Sequence, residues 1–201
     1  MVVPTKPLRE RKSAESRRRE IMDAAAKVLA ERGLAAATVS DITRVAGVAK
    51  GTFYLYFESK EHLVAALRER FVQELVEHAK PFIEEIGRLD WWELADAVAE
   101  DMVDWTLAHR DICAVIMQTS TPETHDIVVQ ADRAMIQYFA HGIEAGVRAG
   151  AFHVSDPEAA AAFLYNGTIF TVLQASLYSD NVDRDHLVAV AKEINRKVLG
   201  V

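Results

Sequence analysis

The sequence contains a single cysteine, Cys113, among its 201 residues. One thiol excludes an intrachain disulfide framework and any zinc site built from several cysteines. The seven histidines show no HExxH or similarly close ligand spacing, so we predict no metal site. The G-x-S-x-G, P-loop and G-x-G-x-x-G motifs are missing as well. We therefore expect a binding protein that uses no cofactor and is not an enzyme.

Positive charge is also scarce. The chain has 23 Lys and Arg against 30 Asp and Glu, a net charge of −7, and this total argues against binding to nucleic acid. The distribution reverses that interpretation. Residues 1–60 carry 12 basic and 7 acidic side chains (+5), whereas residues 61–201 carry 11 and 23 (−12). A basic N-terminal part and an acidic remainder indicate two parts with different partners.

The first 20 residues contain no hydrophobic run, so we expect no secretory signal and a cytoplasmic location. Residues 1–12 hold two prolines and many charges, which predicts a flexible basic arm. Beyond it, apolar residues recur at steps of three and four, and no strand-length alternation appears. We predict an all-α fold with about nine helices.

Residues 159–179 contain no charged side chain, a length that could span a bilayer. Asn166, Thr168 and Gln174 make the segment too polar for that interpretation, and we expect no membrane. A helix without a charged face must be covered all round. A partner subunit would cover the side that the chain's own helices leave open.

Two short helices are predicted between residues 38 and 60. Thr38 and Asp41 have the spacing of a capping box, and Gly47 separates the first helix from a second that begins near Lys50. The residues expected to pack inward are Ile42, Val45, Val48, Phe53 and Phe57. The residues left outward on the second helix are Lys50, Gly51, Thr52, Tyr54 and Leu55. Hydroxyls on such a surface suit phosphates or base edges, but the pattern alone also fits an ordinary helical hairpin.

This segment resembles the N-terminal domain of the tetracycline-repressor (TetR) family of transcription regulators. The resemblance spans residues 17–67 and is carried by Thr38-Val39, Asp41-Ile42, Ala46-Gly47-Val48, Lys50 to Tyr54, Tyr56-Phe57, Ser59-Lys60-Glu61 and Leu63. Two positions depart from the family pattern. Thr43 stands where alanine is usual, and Ala49 stands where serine is frequent.

The resemblance implies a DNA-binding site on this segment. Phosphate contacts would fall on Thr38, Tyr56 and Lys60, and base contacts on Gly51, Thr52 and Tyr54. Ser40 and Arg44 are further candidates for base contacts, and Lys50 could serve either role. The implied domains are a helix-turn-helix domain over residues 13–60 and an effector-binding and dimerisation domain over residues 61–201.

For the acidic part, the resemblance implies a homodimer paired through helices at about 157–178 and 185–199. It also implies a pocket for a small, largely apolar effector. The candidate pocket residues are Trp92, Met102, Trp105, His109, Cys113, Met117, Tyr138, Phe139, Phe163, Asn166 and Phe170, each of which could instead belong to the core. The implied function is a repressor that an effector releases from a palindromic operator. A DNA-binding regulator without a ligand and a helical carrier of small molecules stay open as alternatives.

Overall fold

The computed structural model describes residues 13–88, 90–116, 125–179 and 181–200. These residues form nine α-helices and no strand, which confirms the predicted all-α fold. The helices are α1 (Ala14–Ala36), α2 (Val39–Ala46), α3 (Lys50–Tyr54), α4 (Lys60–Glu84), α5 (Trp91–Ala108), α6 (Arg110–Ile116), α7 (His125–Arg148), α8 (Pro157–Tyr178) and α9 (Arg184–Leu199). Two compact units meet between Leu63 and Val64, within α4.

In the first unit, α1 packs against α2, and α2 against α3. Ile21, Ala25 and Leu29 on α1 are fully buried, as the four-residue apolar spacing predicts. Gly33 interrupts α1 with a φ of 72°, a left-handed value that glycine adopts without strain. A glycine just past the apolar spacing of this helix predicts a stop at Gly33, and the regular helix does break there, although a final turn continues to Ala36.

The predicted capping box at the start of α2 is present. The Thr38 hydroxyl accepts from the backbone N–H of Asp41, and the Asp41 carboxylate accepts from the backbone N–H of Thr38. Gly47 ends α2 in the left-handed region with a φ of 65°. Ala49 precedes α3 without a side-chain cap. Local sequence signals alone thus determine both ends of α2.

Four details of the helices differ from expectation. The sequence predicts that the second short helix runs to about Tyr56 and that the next one ends near Pro81, whereas α3 ends at Tyr54 and α4 continues through Pro81 to Glu84. Val45, predicted to pack inward, is 45% exposed, whereas Thr43 is buried and its hydroxyl donates to the carbonyl of Ser40. Thr121 followed by Pro122 predicts a further helix start, and this position lies outside the described residues.

In the second unit, α5 and α9 run antiparallel and are joined by three sets of ion pairs. The pairs are Asp96 with Arg196, Glu100 with Lys192 and Asp104 with Arg184, all at 2.6 Å. Bonds from Lys192 and Arg184 lower the pKa of Glu100 to about 2. Exposed pairs contribute little individually, so this ladder sets the register of α9 on α5 more than it stabilises the unit.

Helix α8 is the uncharged segment, and it packs on α5, α7 and α9 through one side only. Phe163, Phe170 and Leu177 are 63%, 58% and 72% exposed. Because these residues are seven positions apart, they share one face of the helix. Among the described residues, α8 alone has the length and hydropathy of a membrane span, a property that a core helix of a soluble protein shares.

Gly146 on α7 permits the close approach of Phe152. A Cβ at this position would lie 2.2 Å from Cδ2 of Phe152, far inside van der Waals contact. Phe152 in turn packs edge-on against Trp91 and Trp92, with ring centroids at 5.8 Å and 5.0 Å. Gly146 therefore leaves the space in which Phe152 packs against Trp91 and Trp92.

We predict that Gly146→Ala destabilises the protein by about 1–3 kcal/mol, because the methyl group displaces Phe152. The matched control is Gly142→Ala on the same helix, where a Cβ meets no atom within 4 Å. That change should be neutral or stabilise by about 0.5–1 kcal/mol through helix propensity. Denaturant unfolding of both variants at one protein concentration measures the difference, and equal midpoints would contradict this account.

Candidate DNA-reading surface and ligand cavity

The nine candidate DNA-binding residues all lie in the first unit. Six of them are exposed, namely Thr38, Ser40, Arg44, Lys50, Gly51 and Tyr54, and three are half-buried, namely Thr52, Tyr56 and Lys60. The exposed face joins the N-terminus of α2 to α3. Hydroxyl, guanidinium and ammonium groups dominate it, and these are the groups that contact phosphates and base edges.

Asp41 organises the beginning of α2. Its Oδ2 accepts a 2.6 Å bond from the Thr38 hydroxyl, its Oδ1 accepts a 2.9 Å bond from Arg32, and Arg44 lies 3.6 Å away. The Thr38 hydroxyl bond, together with Arg32 and Arg44, lowers the pKa of Asp41. Because Asp41 already engages the hydroxyl and the N–H of Thr38, a phosphate at this helix end would meet other groups first, such as the free N–H groups of the first turn.

Tyr54 presents its ring outward from α3 and is 50% exposed. Its inner edge contacts the fully buried Phe53 at a centroid distance of 5.3 Å. The neighbouring Gly51 has no atom within 4 Å of where a Cβ would stand, so a ligand can approach the backbone there. A rigid aromatic hydroxyl beside open backbone is suited to contact a base edge.

Lys60 has a structural contact that the sequence did not reveal. Its ammonium donates to the carbonyls of Leu34 and Ala37 at 2.7 Å and 3.0 Å. These carbonyls belong to the end of α1, which has no further helical turn to satisfy them. Lys60 thus fixes the start of α4 on the end of α1, and one N–H of the ammonium remains for a phosphate.

A cavity of about 100 Å³ opens within the second unit. Three of the predicted pocket residues, Met102, Tyr138 and Phe139, line it. Helices α5, α7 and α8 supply walls, as predicted, and α4 and α9 add walls that were not. Lining residues from these two helices are Ala79, Phe82, Ile83, Asn195 and Leu199, and Ile86 follows just beyond the end of α4.

The other predicted pocket residues that the structure describes are not among the lining residues of this cavity. Trp92 packs on Phe152 and lies under Arg196. Trp105 stacks on His109 at 4.1 Å and contacts His78 at 4.4 Å. Met117 lies outside the described residues.

Three of the predicted pocket residues on α8 are exposed instead. Phe163 and Phe170 point away from the unit, and Phe163 borders a second hollow of about 150 Å³ between α8 and α9. Asn166 is exposed, and its amide donates to the carbonyl of Ala162 one turn earlier. Cys113 is buried, and burial raises the pKa of its thiol to about 12, so it is an unreactive core residue.

The cavity wall is almost wholly apolar, and one buried polar atom in it stands out. The hydroxyl of Tyr138 is shielded from solvent and has no hydrogen-bond partner among the described residues. Burial raises the pKa of Tyr138, and the nearby carboxylates of Glu77 and Glu84 add to the shift. A buried donor without a partner is costly, so this hydroxyl indicates where a ligand atom would bind.

Arg68 is a buried cation that sequence reasoning missed. It is 8% exposed, pairs with both carboxylate oxygens of Asp132 at 2.6–2.7 Å and donates to the carbonyl of Ile116 at 2.7 Å. The available signal was its spacing, because Val64 and Val72, one turn to either side, are both buried. In residues 13–88, 90–116, 125–179 and 181–200, no three His, Cys, Asp or Glu side chains are placed to hold a metal ion.

Comparison with known proteins identifies the first unit. Residues 21–67 match the model of bacterial regulatory proteins of the tetR family. YvdT of Bacillus subtilis, an uncharacterised HTH-type transcriptional regulator, is 36% identical over 101 residues, 50% of this chain and 51% of YvdT. The repressor KstR2 of Rhodococcus jostii is 41% identical over 69 residues, 34% of each chain. The chain thus spans about half the length of the first of these relatives and a third of the second.

The comparison with solved structures concerns the fold. FadR of Bacillus subtilis, solved in complex with stearoyl-CoA, matches with a TM-score of 0.75 at 23% identity. The match covers 90% of this chain and 99% of FadR. The helical fold of both units is therefore found in a known transcriptional regulator.

Lys60→Met tests the structural contact of Lys60. We predict a loss of about 1–3 kcal/mol of stability, because two carbonyls at the end of α1 lose a charged donor. Lys27→Met on α1 is the control, since it removes the same charge from an exposed position. The unfolding midpoint measures the loss, and equal midpoints for the two variants would show that the bonds of Lys60 do not stabilise the fold.

Proposed function

We propose that this chain, which belongs to the tetR family of bacterial regulatory proteins, is a homodimeric repressor released from a palindromic operator by a small apolar effector. The observation that carries the proposal is the helix-turn-helix over residues 38–60, with its hydroxyl-rich outer face and its family match. KstR2, which is 41% identical over 69 residues, is a transcriptional repressor. We expect the protein to act in the cytoplasm, as a DNA-binding protein and not as an enzyme.

In this proposal α3 is the reading helix. Gly51, Thr52 and Tyr54 would contact base edges, and Lys50 would reach a base or a phosphate. Arg44 and Ser40 on α2 would add base contacts. Tyr56, Lys60 and the first turn of α2, which Thr38 caps, would hold the DNA backbone and set the register of the reading helix. The carboxylate of Asp41 offsets part of the positive charge of Arg44. The affinity for DNA would therefore depend on the placement of the contacting groups more than on their net charge.

The homodimer is proposed from the exposed face of α8. Phe163, Phe170 and Leu177 form an apolar row that no described residue covers, and Ile194 on α9 is 42% exposed. Contiguous exposed apolar patches mark interaction surfaces. A second copy would cover this row through α8 and α9, and two reading helices one DNA turn apart would match a palindrome.

The effector would bind in the cavity of the second unit. Its apolar wall, with Met102, Tyr138 and Phe139 among the lining residues, favours an apolar molecule. That FadR binds stearoyl-CoA supports a ligand with a large apolar part. Because α4 starts in the first unit and its last turns line the cavity, we propose that a bound effector shifts α4. Operator affinity would then fall as far as the effector prefers the shifted state.

Two alternatives remain. A regulator without a ligand would bind DNA with the cavity empty, and its operator affinity would not respond to any cavity ligand. A helical carrier of small molecules would bind ligands but no DNA. The cavity and its buried hydroxyl favour a ligand, and the family match favours DNA, so we place both alternatives second.

Arg44→Gln tests DNA binding against a closely matched control, Arg148→Gln. Arg44 and Arg148 are 66% and 63% exposed and lie 3.6 Å and 3.7 Å from a carboxylate on their own helix. We expect wild type and Arg148→Gln to protect the same palindrome in genomic fragments. Arg44→Gln should bind it about 5–100-fold more weakly, as expected for one lost base or phosphate contact.

The salt dependence separates the two kinds of contact. A lost phosphate contact reduces the slope of log affinity against log salt, whereas a lost base contact relaxes the sequence preference. A protein that protects no fragment would contradict the proposal and favour the carrier.

Phe170→Asp tests the dimer. A carboxylate in the middle of the apolar row should convert the dimer to a monomer, because burying an unpaired charge is costly. Glu158→Asp, at an exposed position near the start of the same helix, is the control and should remain dimeric. Sedimentation velocity distinguishes the states, and a Phe170→Asp protein that stays dimeric would place the interface elsewhere.

A further inference from the structure

We propose that the cavity binds an uncharged apolar molecule whose single hydrogen-bonding atom accepts a hydrogen bond from the Tyr138 hydroxyl, and that the cavity rejects carboxylates of the same size. The proposal rests on the proposed function only in taking this cavity as the effector site. It adds the charge and the polar group of the ligand.

The wall of the cavity offers nothing to balance a charge. None of the described lining residues is acidic or basic, and most of them are aliphatic or aromatic. An ionised carboxylate moved from water into such a wall loses its hydration and gains no ion pair. The wall therefore favours hydrocarbon and disfavours any ionised group.

The Tyr138 hydroxyl supplies the polar part of the specificity. It is buried and lacks a partner in the part of the chain that the structure describes. A ligand oxygen that accepts a hydrogen bond from this hydroxyl would satisfy a donor that the empty protein leaves unpaired. Sites of this kind discriminate strongly against ligands that lack the matching polar atom.

The negative charges near Tyr138 disfavour the binding of an anionic ligand. Glu77 and Glu84 on α4 are close enough to act on the Tyr138 hydroxyl, and both oppose further negative charge there. Lys80 neutralises part of this charge by pairing with Glu77 at 2.5 Å, whereas Glu84 is exposed. A carboxylate held by Tyr138 would therefore meet net repulsion, which a neutral hydroxyl or carbonyl avoids.

The size of the cavity limits the ligand. About 100 Å³ is the scale of a cavity that encloses a single small ring or a short chain, and because the cavity is partly open, the end of a longer chain such as that of n-octanol can extend out of it. The space exists because small residues face it, including Ala99, Gly142 and Ala161. At Gly142 a Cβ would meet no atom within 4 Å, so a larger side chain at this position can grow into the free volume.

The test compares n-octanol with n-octanoate at neutral pH on the full chain, by isothermal titration and by tryptophan fluorescence, to which Trp91 in the cavity wall contributes. We expect n-octanol to bind once per chain, and n-octanoate to bind at least about tenfold more weakly. Tyr138→Phe should weaken n-octanol binding by about 2–10-fold, the effect of one hydrogen bond. Tyr178→Phe, at an 84% exposed tyrosine, is the matched control and should bind as wild type does.

A second pair of variants tests whether n-octanol binds in this cavity. Gly142→Leu should abolish n-octanol binding by filling the cavity, whereas Ala134→Leu, at an exposed position of α7, should not. Circular dichroism confirms that both variants fold.

Four results would overturn the proposal. They are no binding of n-octanol, equal binding of n-octanoate, unchanged binding in Tyr138→Phe, and unchanged binding in a folded Gly142→Leu. The proposed function fails by a different result. If ligands bind as expected but no DNA fragment is protected, the ligand class stands and the protein is a carrier.

Discussion

A buried guanidinium holds the second unit together. Arg68 on α4 is bound by both oxygens of Asp132 on α7 and by the carbonyl of Ile116 at the end of α6. A buried charge that loses its partner costs about 3–5 kcal/mol, so these three helices cannot separate without a large penalty. The same α4 and α7 carry Phe82, Ile83 and Tyr138, which line the cavity. The shape of the cavity therefore depends on an ion pair that is not among the lining residues.

The distribution of charge explains how an acidic protein can bind DNA. Residues 1–60 carry a net charge of +5, and residues 61–201 carry −12. The acidic remainder disfavours non-specific binding to the phosphates of DNA. Within the first unit, Asp41 and Lys60 use their charges to fix the ends of α2 and α1. In the proposed function, specific contacts would then come from few groups, chiefly the hydroxyls and the backbone of α3. This arrangement suits selective binding better than tight binding.

The sequence predicted the helices and the first unit well because their signals are local. A threonine and an aspartate three residues apart, or a glycine at a helix end, have the same effect in almost any surroundings. It predicted the long-range partners poorly. The carbonyl contacts of Lys60 join residues more than 20 positions apart, and the path of α4 through Pro81 depends on packing that local propensity cannot reveal.

The candidate pocket residues show the same limit. Periodicity indicates that Phe139, Phe163 and Phe170 each lie on the apolar side of a helix, but it does not distinguish a core, a cavity wall and an exposed face. In the structure Phe139 lines the cavity, whereas Phe163 and Phe170 are exposed. The absence of charge over residues 159–179 was the better guide, because it predicted a helix with one face that the described residues leave exposed.

We propose above all that occupancy of the cavity controls the affinity for DNA. The most direct test of this proposal is the affinity for a protected operator, measured by fluorescence anisotropy with and without saturating n-octanol, in wild type and in Gly142→Leu. The account predicts that the ligand weakens operator binding by wild type about 5–150-fold, the usual range of allosteric coupling, and leaves Gly142→Leu unchanged. Equal operator affinity for wild type with the ligand bound and absent would contradict it.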